Sequence, residues 1–174
     1  MSLFQNILII AILIAGAGFL SLTEIALAGA RKVKLKILAE AGEERAQKVL
    51  DLQEQSADFF AASQIGLNAV AILGGILGEA AFRPYIVNFV NRIYQGPWTE
   101  NIGFILSFSL VTSLFILFAD LMPKRMAMIA PEKIAVSVIN PIQVFIKICK
   151  PLAWGINAIA NLLFRLFKIN TVRD

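Results

Sequence analysis

Three long apolar segments dominate the pattern of hydrophobic and polar positions along this chain. They cover about residues 4–29, 59–82 and 102–122, and each is interrupted by only a few polar side chains. A helix rises ~1.5 Å per residue, so about 20 residues cross the hydrocarbon core of a bilayer. The pattern therefore predicts three transmembrane helices. No basic segment precedes the first run, which argues against a secretory signal peptide.

Two short amphipathic segments follow the first span. From 33 to 56, apolar residues recur at helical spacing among lysine, glutamate and glutamine, and Gly42 interrupts the pattern. We expect two short helices at the inner membrane surface, with a break at Gly42.

The C-terminal segment, about 131–169, has a different organisation. Its apolar stretches are shorter than a comfortable span, and Pro141, Lys147, Lys150 and Pro151 interrupt them. We predict a juxtamembrane belt of amphipathic helices in the inner interface. The alternative is a hairpin made of a fourth and a fifth span.

The composition supports a membrane protein of a single domain, residues 1–174. Hydrophobic residues make up 58% of the chain and charged residues 16%, against roughly half and a quarter in soluble domains. A soluble fold of this length has too little interior for that apolar surface, so lipid must solvate part of it. The predicted fold class is all-α integral membrane: three transmembrane helices, cytoplasmic short helices and the belt.

The basic residues fix the predicted orientation. A basic cluster at 31–36 follows the first span, and only Arg83 and Arg92 of the 16 basic residues fall in the predicted outer loop. Cytoplasmic loops carry the excess of lysine and arginine. We therefore expect the N-terminus outside and the C-terminal end in the cytoplasm.

Several function classes are disfavoured. The basic residues flank apolar runs, so a nucleic-acid partner is not expected. Cys149 is the only cysteine, which excludes an intramolecular disulfide. The chain has no histidine, and we find no nucleophile–base pairing or phosphate loop, so we do not expect an enzyme.

Four polar side chains lie at similar depths in the inner half of the predicted spans: Ser21 and Glu24 in the first, Asn68 in the second and Asp120 in the third. An ionisable group inside a span costs about 2.5–3.5 kcal/mol and usually marks an ion path or a buried pair. Carboxylate, amide and hydroxyl oxygens suit Mg²⁺ or Ca²⁺. The four residues are our predicted metal ligands, around an inward-open pocket for a cation.

Three of these residues also have a structural explanation. Glu24 is close enough in sequence to pair with Arg31, and Asp120 is near enough to the boundary to be an interfacial charge. Asn68 has the chemistry of a hydrogen bond between membrane helices.

Two further patterns in the second span favour local structure over transport. Glu79 precedes Arg83 by four residues, which predicts an ion pair on one helix. Gly74-x-x-x-Gly78 predicts a close contact with another helix.

In the first span, Gly16 and Gly18 are expected to loosen the helix before Ser21 and to let main-chain carbonyls join the ligands.

Three motifs carry a resemblance to a known family. FLSLTEIALAGARKVKLKIL resembles the first helix of the DUF21 transmembrane domain of the CorC/CNNM (hemolysin-related) magnesium transporter family. QIGLNAVAILGGILGEAAF resembles its second helix, and FILFADLMPKRMAMIAPEKIA its third helix with the following loop. The motifs occur in order and span nearly the whole chain.

The resemblance implies Mg²⁺ efflux coupled to Na⁺, with Mg²⁺ as the transported ion. It also implies a homodimer in the bacterial inner membrane and a cytoplasmic CBS-pair domain, so we expect this chain to be the membrane part alone. The implied cation site again comprises Ser21, Glu24, Asn68 and Asp120. The chain carries Ala119-Asp120 where the family commonly has Gly-Glu, a change expected to affect ion preference.

Two alternatives to Mg²⁺ transport stay open at this point. A branch of the family is associated with polyamine export, and an acidic pocket accepts an ammonium group as well as a metal ion. The other alternative is a membrane anchor that senses an ion without moving it.

Overall fold

The computed structural model describes residues 3–166, and this part of the chain is helical with short connections. Seven α-helices and one π-helical segment follow in order: α1 (Leu3–Gly29), α2 (Lys32–Glu40), α3 (Glu44–Glu54), α4 (Ser56–Asn91), α5 (Thr99–Phe115), the π-helical segment (Ile116–Leu121), α6 (Met122–Ile129) and α7 (Pro131–Leu166). The predicted all-α class is confirmed.

In the described part of the chain, four helical stretches are long and apolar enough to cross a membrane. They are Phe4–Gly29, Phe59–Asn91, Thr99–Ile129 and Pro131–Leu152. The first three correspond to the three predicted spans. The fourth falls in the segment for which the sequence predicts a belt.

The second helix ends later than predicted. It continues through Pro84 to Asn91, so residues 83–91 are helical and do not belong to the outer loop. Proline removes one helical hydrogen bond, but membrane helices tolerate it because neighbouring groups satisfy the freed carbonyl. The third helix also extends beyond its predicted end, through the π-helical segment and α6 to Ile129.

The C-terminal segment is one long helix, where the sequence predicted several. α7 contains both Pro141 and Pro151 and packs against α1, α3 and α4. Ala135, Ile139 and Ile142 are fully buried on one face, at a spacing that fits an amphipathic helix. Whether the helix crosses the membrane or lies on it stays a prediction, and residues 167–169 of the predicted belt lie outside the described residues.

The two short helices α2 and α3 follow the predicted pattern of two helices with a break at Gly42. Gly42 has φ of +95° and separates α2 from α3, a backbone conformation that glycine adopts without steric cost. The side-chain amide of Gln53 in α3 donates to the carbonyls of Leu27 (2.7 Å) and Ala30 (3.0 Å). These carbonyls at the end of α1 have no helical partner of their own, so α3 closes that end.

The glycine pair of the second span makes the predicted close contact. A methyl group at Gly74 would overlap the ring of Phe115, and one at Gly78 would overlap Val111. Both neighbours belong to α5 of the same chain. The glycines therefore join α4 to α5 within one protomer.

Candidate functional site

A cavity of about 320 Å³ opens between α1, α4 and the third long helix. Its polar lining comprises Glu24, Gln64, Asn68, Asp120 and Lys124, and its apolar lining comprises Ala17, Leu67, Ala71, Phe115, Ile116 and Ala119. Three of the four predicted ligands thus share one cavity, and the fourth, Ser21, reaches it through a hydrogen bond. Their role as cation ligands stays a prediction.

Asp120 is held by two donors from different parts of the chain. The hydroxyl of Ser21, which is fully buried, donates to Oδ1 of Asp120 at 2.7 Å. The ammonium of Lys124 lies 2.6 Å from the same oxygen. The side chain of Asp120 remains 46% exposed, so the carboxylate is positioned at the cavity wall and still accessible.

Glu24 accepts a hydrogen bond from Gln64 across the interface of α1 and α4, with Nε2 and Oε1 2.9 Å apart. The alternative prediction, that Glu24 pairs with Arg31, is wrong. Arg31 instead contacts Glu132 at the start of α7, where its Nε lies 3.1 Å from Oε1. Lys34 contacts the same carboxylate oxygen at 3.4 Å. Glu24 therefore contacts α4 and lines the cavity.

The backbone under Asp120 is π-helical. At the end of this segment the N–H of Met122 donates to the carbonyl of Leu117, five residues earlier. Pro123 follows and has no N–H to offer the carbonyl four residues before it, which favours a wider turn. Short π-helical turns inside α-helices occur frequently at functional sites.

The glycines of α1 act differently from the prediction. α1 is continuous through Gly16 and Gly18, so its main chain is not loosened before Ser21. A methyl group at Gly18 would lie 3.2 Å from Cγ of Pro123 and 3.4 Å from the carbonyl oxygen of Phe118. Gly18 therefore lets α1 approach the π-helical segment closely enough for Ser21 to reach Asp120.

Sequence reasoning missed two polar residues of the cavity, Gln64 and Lys124. Each lies four residues from a predicted ligand, Gln64 before Asn68 and Lys124 after Asp120. Residues at this spacing share a helix face, and that signal was available. The signal is weak because both residues lie near the predicted ends of their spans, where polar side chains are common.

The side chains that line the cavity determine which kinds of ligand it can bind. Among the described residues no group of three or more carboxylate, cysteine or histidine side chains is placed to hold a metal ion. The cavity offers two carboxylates, two amides and one ammonium beside six apolar residues. Such a surface can bind a cation that has an apolar part.

The pair of Glu79 and Arg83 in the C-terminal half of α4 forms as predicted. Nε of Arg83 lies 2.6 Å from Oε1 of Glu79, and the guanidinium also stacks 4.9 Å above the ring centre of Phe104 in α5. The hydroxyl of Ser107 lies 3.5 Å from the same carboxylate oxygen. These contacts connect α4 to α5 outside the cavity.

The whole chain was also compared with known proteins. Residues 8–174 match the family profile described as the cyclin M transmembrane N-terminal domain, CNNM. The chain belongs to the CNNM family. The resemblance of the three sequence motifs is thereby confirmed, and together with the four long apolar helices it identifies an integral membrane domain.

Three relatives illustrate its similarity to curated proteins. The polyamine export protein of Escherichia coli (strain K12) is 52% identical over 171 residues, which is 98% of this chain and 38% of that protein. The polyamine export protein of Haemophilus influenzae is 48% identical over 174 residues, all of this chain and 40% of that protein. A UPF0053 protein of Synechocystis is 30% identical over 161 residues, 92% of this chain and 36% of that protein. The chain thus spans about two fifths of the length of these relatives.

Proposed function

We propose that this domain exports a polyamine through the cavity between α1, α4 and the π-helical segment. The observation that carries the proposal is the composition of the cavity wall, where Glu24 and Asp120 lie beside Leu67, Phe115 and Ile116. A diamine has two ammonium groups joined by methylenes, so it needs separated anions and an apolar surface between them. A volume of about 320 Å³ is at the low end for small organic ligands.

The relatives support the same cargo. Two proteins named polyamine export protein align with at least 98% of the chain at about half identity. The sequence alone favoured Mg²⁺ because of the hard oxygen ligands and the family resemblance. The apolar part of the wall and these relatives now make the polyamine the first choice.

Mg²⁺ remains the second candidate because one observation favours it. The carboxylate of Asp120 and the hydroxyl of Ser21 are in direct contact, and Asn68 lines the same cavity. Mg²⁺ binds through one or two carboxylates and keeps several waters, which such a set allows. Coupling to Na⁺ stays a prediction for either cargo.

The deciding experiment is transport by purified protein in liposomes, with putrescine and Mg²⁺ compared on one preparation. Glu24→Gln and Asp120→Asn each remove one charge and nearly preserve shape. For a diamine, both substitutions should reduce transport about equally, because each removes the anion for one ammonium. Glu100→Gln, at an exposed position in the first turn of α5, is the matched control and should leave transport unchanged.

The outcomes separate the hypotheses. Flux of Mg²⁺ without putrescine, lost in Asp120→Asn and little changed in Glu24→Gln, would refute polyamine export. Binding of either cation without flux would identify a sensor. Repeating the assay with and without a Na⁺ gradient tests the coupling.

We also propose that the domain works as a homodimer in the bacterial inner membrane. The predicted glycine contact no longer supports a dimer, since Gly74 and Gly78 face α5 of their own chain. Ile72 and Ile76, on another part of α4, are more than 60% exposed and available to lipid or a second copy. Crosslinking of cysteines at these two positions in native membranes tests the dimer, and a monomer in lipid would contradict it.

A further inference from the structure

Lys124 brings a positive charge of the chain itself into the cavity. Its ammonium lies 2.6 Å from Oδ1 of Asp120, and both residues line the wall. An alkylammonium therefore already occupies the carboxylate that the proposed function assigns to an amine cargo.

The two donors on this carboxylate differ in their freedom to move. Ser21 is fully buried in α1, and its hydroxyl is fixed on a short side chain. The ammonium of a lysine moves on a flexible four-carbon stem, and the side chain of Lys124 is 34% exposed. The hydroxyl can hold Asp120 in place while the ammonium leaves.

We infer that Lys124 is a tethered counter-ion, which a cationic cargo displaces from Asp120 on binding and which returns when the cargo leaves. The inference rests on the proposed function and adds a specificity-determining residue outside the predicted ligand set. Without this ammonium, an empty cavity would hold the charges of Glu24 and Asp120 at membrane depth, which is costly.

Competition by Lys124 lowers the apparent affinity of the cavity for its cargo. A cargo binds only while Asp120 is free of Lys124, so its apparent affinity equals the intrinsic affinity multiplied by the fraction of time that the pair is broken. The same competition speeds release, because the ammonium replaces the cargo. A weaker resting affinity suits an exporter that must let its cargo go.

Substitution of Lys124 tests this competition. Lys124→Met removes the ammonium and keeps an unbranched side chain, so the dissociation constant for cation binding should fall by at least about fivefold. Lys124→Arg keeps a positive charge and should bind with nearly wild-type affinity. Arg125→Met removes one charge from the next position, which is exposed, and controls for a general change of electrostatic field.

The measurement is calorimetric titration of the chain in lipid nanodiscs with putrescine and, separately, with Mg²⁺. Tighter binding of putrescine by Lys124→Met, and not by Arg125→Met, supports both the counter-ion and the cargo. Tighter binding of Mg²⁺ with no binding of putrescine keeps the counter-ion and refutes the polyamine. Unchanged affinity in Lys124→Met, an equal gain in Arg125→Met, or no binding by a folded Lys124→Met overturns the inference.

A second measurement on the wild-type chain covers the case in which Lys124→Met does not fold. The experiment follows the nitrogen NMR signal of the Lys124 ammonium in protein with labelled lysine. The signal is assigned by its absence from the spectrum of Lys124→Arg. A saturating cation should move this signal to the position of solvated lysines. A signal that stays unchanged at saturation overturns the inference.

Discussion

The ring of Phe115 occupies the space in which a side chain at position 74 would begin, so that Gly74 of α4 and Phe115 of α5 are in direct contact. Phe115 also lines the cavity. The closeness of the two helices at this level therefore sets one wall of the candidate site.

Gly74→Ala should destabilise the domain by about 1–3 kcal/mol, because the new methyl group overlaps the ring of Phe115 and either the ring or the two helices must shift. Gly75→Ala is the matched control, since nothing lies within 4 Å of a methyl group there, and alanine improves helix propensity at both positions. Thermal unfolding in detergent measures the difference. Equal melting temperatures for the two variants would contradict this packing.

Gly18→Ala should disturb the contact between Ser21 and Asp120. Its methyl group would lie 3.2 Å from Cγ of Pro123, at the start of α6, and 3.4 Å from the carbonyl oxygen of Phe118 in the π-helical segment. Pro123 and the segment before it must therefore shift by a few tenths of an ångström. We expect a loss of about 1 kcal/mol of stability and lower cation transport than in Gly16→Ala, where a methyl group meets nothing within 4 Å. Identical transport by the two variants would show that the close approach is not needed.

The orientation can be tested by thiol labelling. In a Cys149→Ser background, cysteines at Lys34 and Arg125 should be protected from an impermeant reagent in intact cells, because the distribution of basic residues predicts that these positions are cytoplasmic. A cysteine at Asn91, the last residue of α4, should label. Labelling at 125 from outside would reverse the predicted topology, and permeabilised cells provide the control for accessibility.

The position of α7 relative to the membrane can be tested with the same reagent. The sequence predicts that this segment stays in the inner interface, while Pro131–Leu152 is long and apolar enough to cross. Cysteines at Val144, Ile148 and Leu152, all exposed on α7, should remain unlabelled from outside if the belt prediction holds. External labelling at 148 or 152 would establish a fourth span.

Sequence patterns predicted the features that depend on local chemistry. The break at Gly42 requires only a residue that tolerates positive φ, and the pair of Glu79 and Arg83 requires only their spacing. The grouping of Glu24, Asn68 and Asp120 around one cavity followed from their depths along antiparallel helices.

Features that depend on neighbouring helices were not predictable from the pattern. α4 continues past Pro84, and α7 continues through Pro141, because tertiary packing offsets the lost hydrogen bond in each helix. Gly74 gives the same sequence signal whether its partner belongs to the same chain or to a second copy. The π-helical segment is too short for apolar periodicity to distinguish it from an α-helix.

The π-helical segment also determines where this helix tolerates a change in its number of residues. A π-helical turn accommodates one residue more than the α-helical turn it replaces, and each residue of an α-helix rotates the chain by about 100°. Deleting a single residue within Ile116–Leu121 would therefore let this turn close to an α-helical one, and α6 would nearly keep its rotation relative to α5. Deleting a single residue from the α-helical turns just before it would instead rotate α6 by about 100° about its axis. Pro123 would then leave Gly18 and Lys124 would leave the cavity, so the same change in chain length is absorbed at one place and disruptive a turn away.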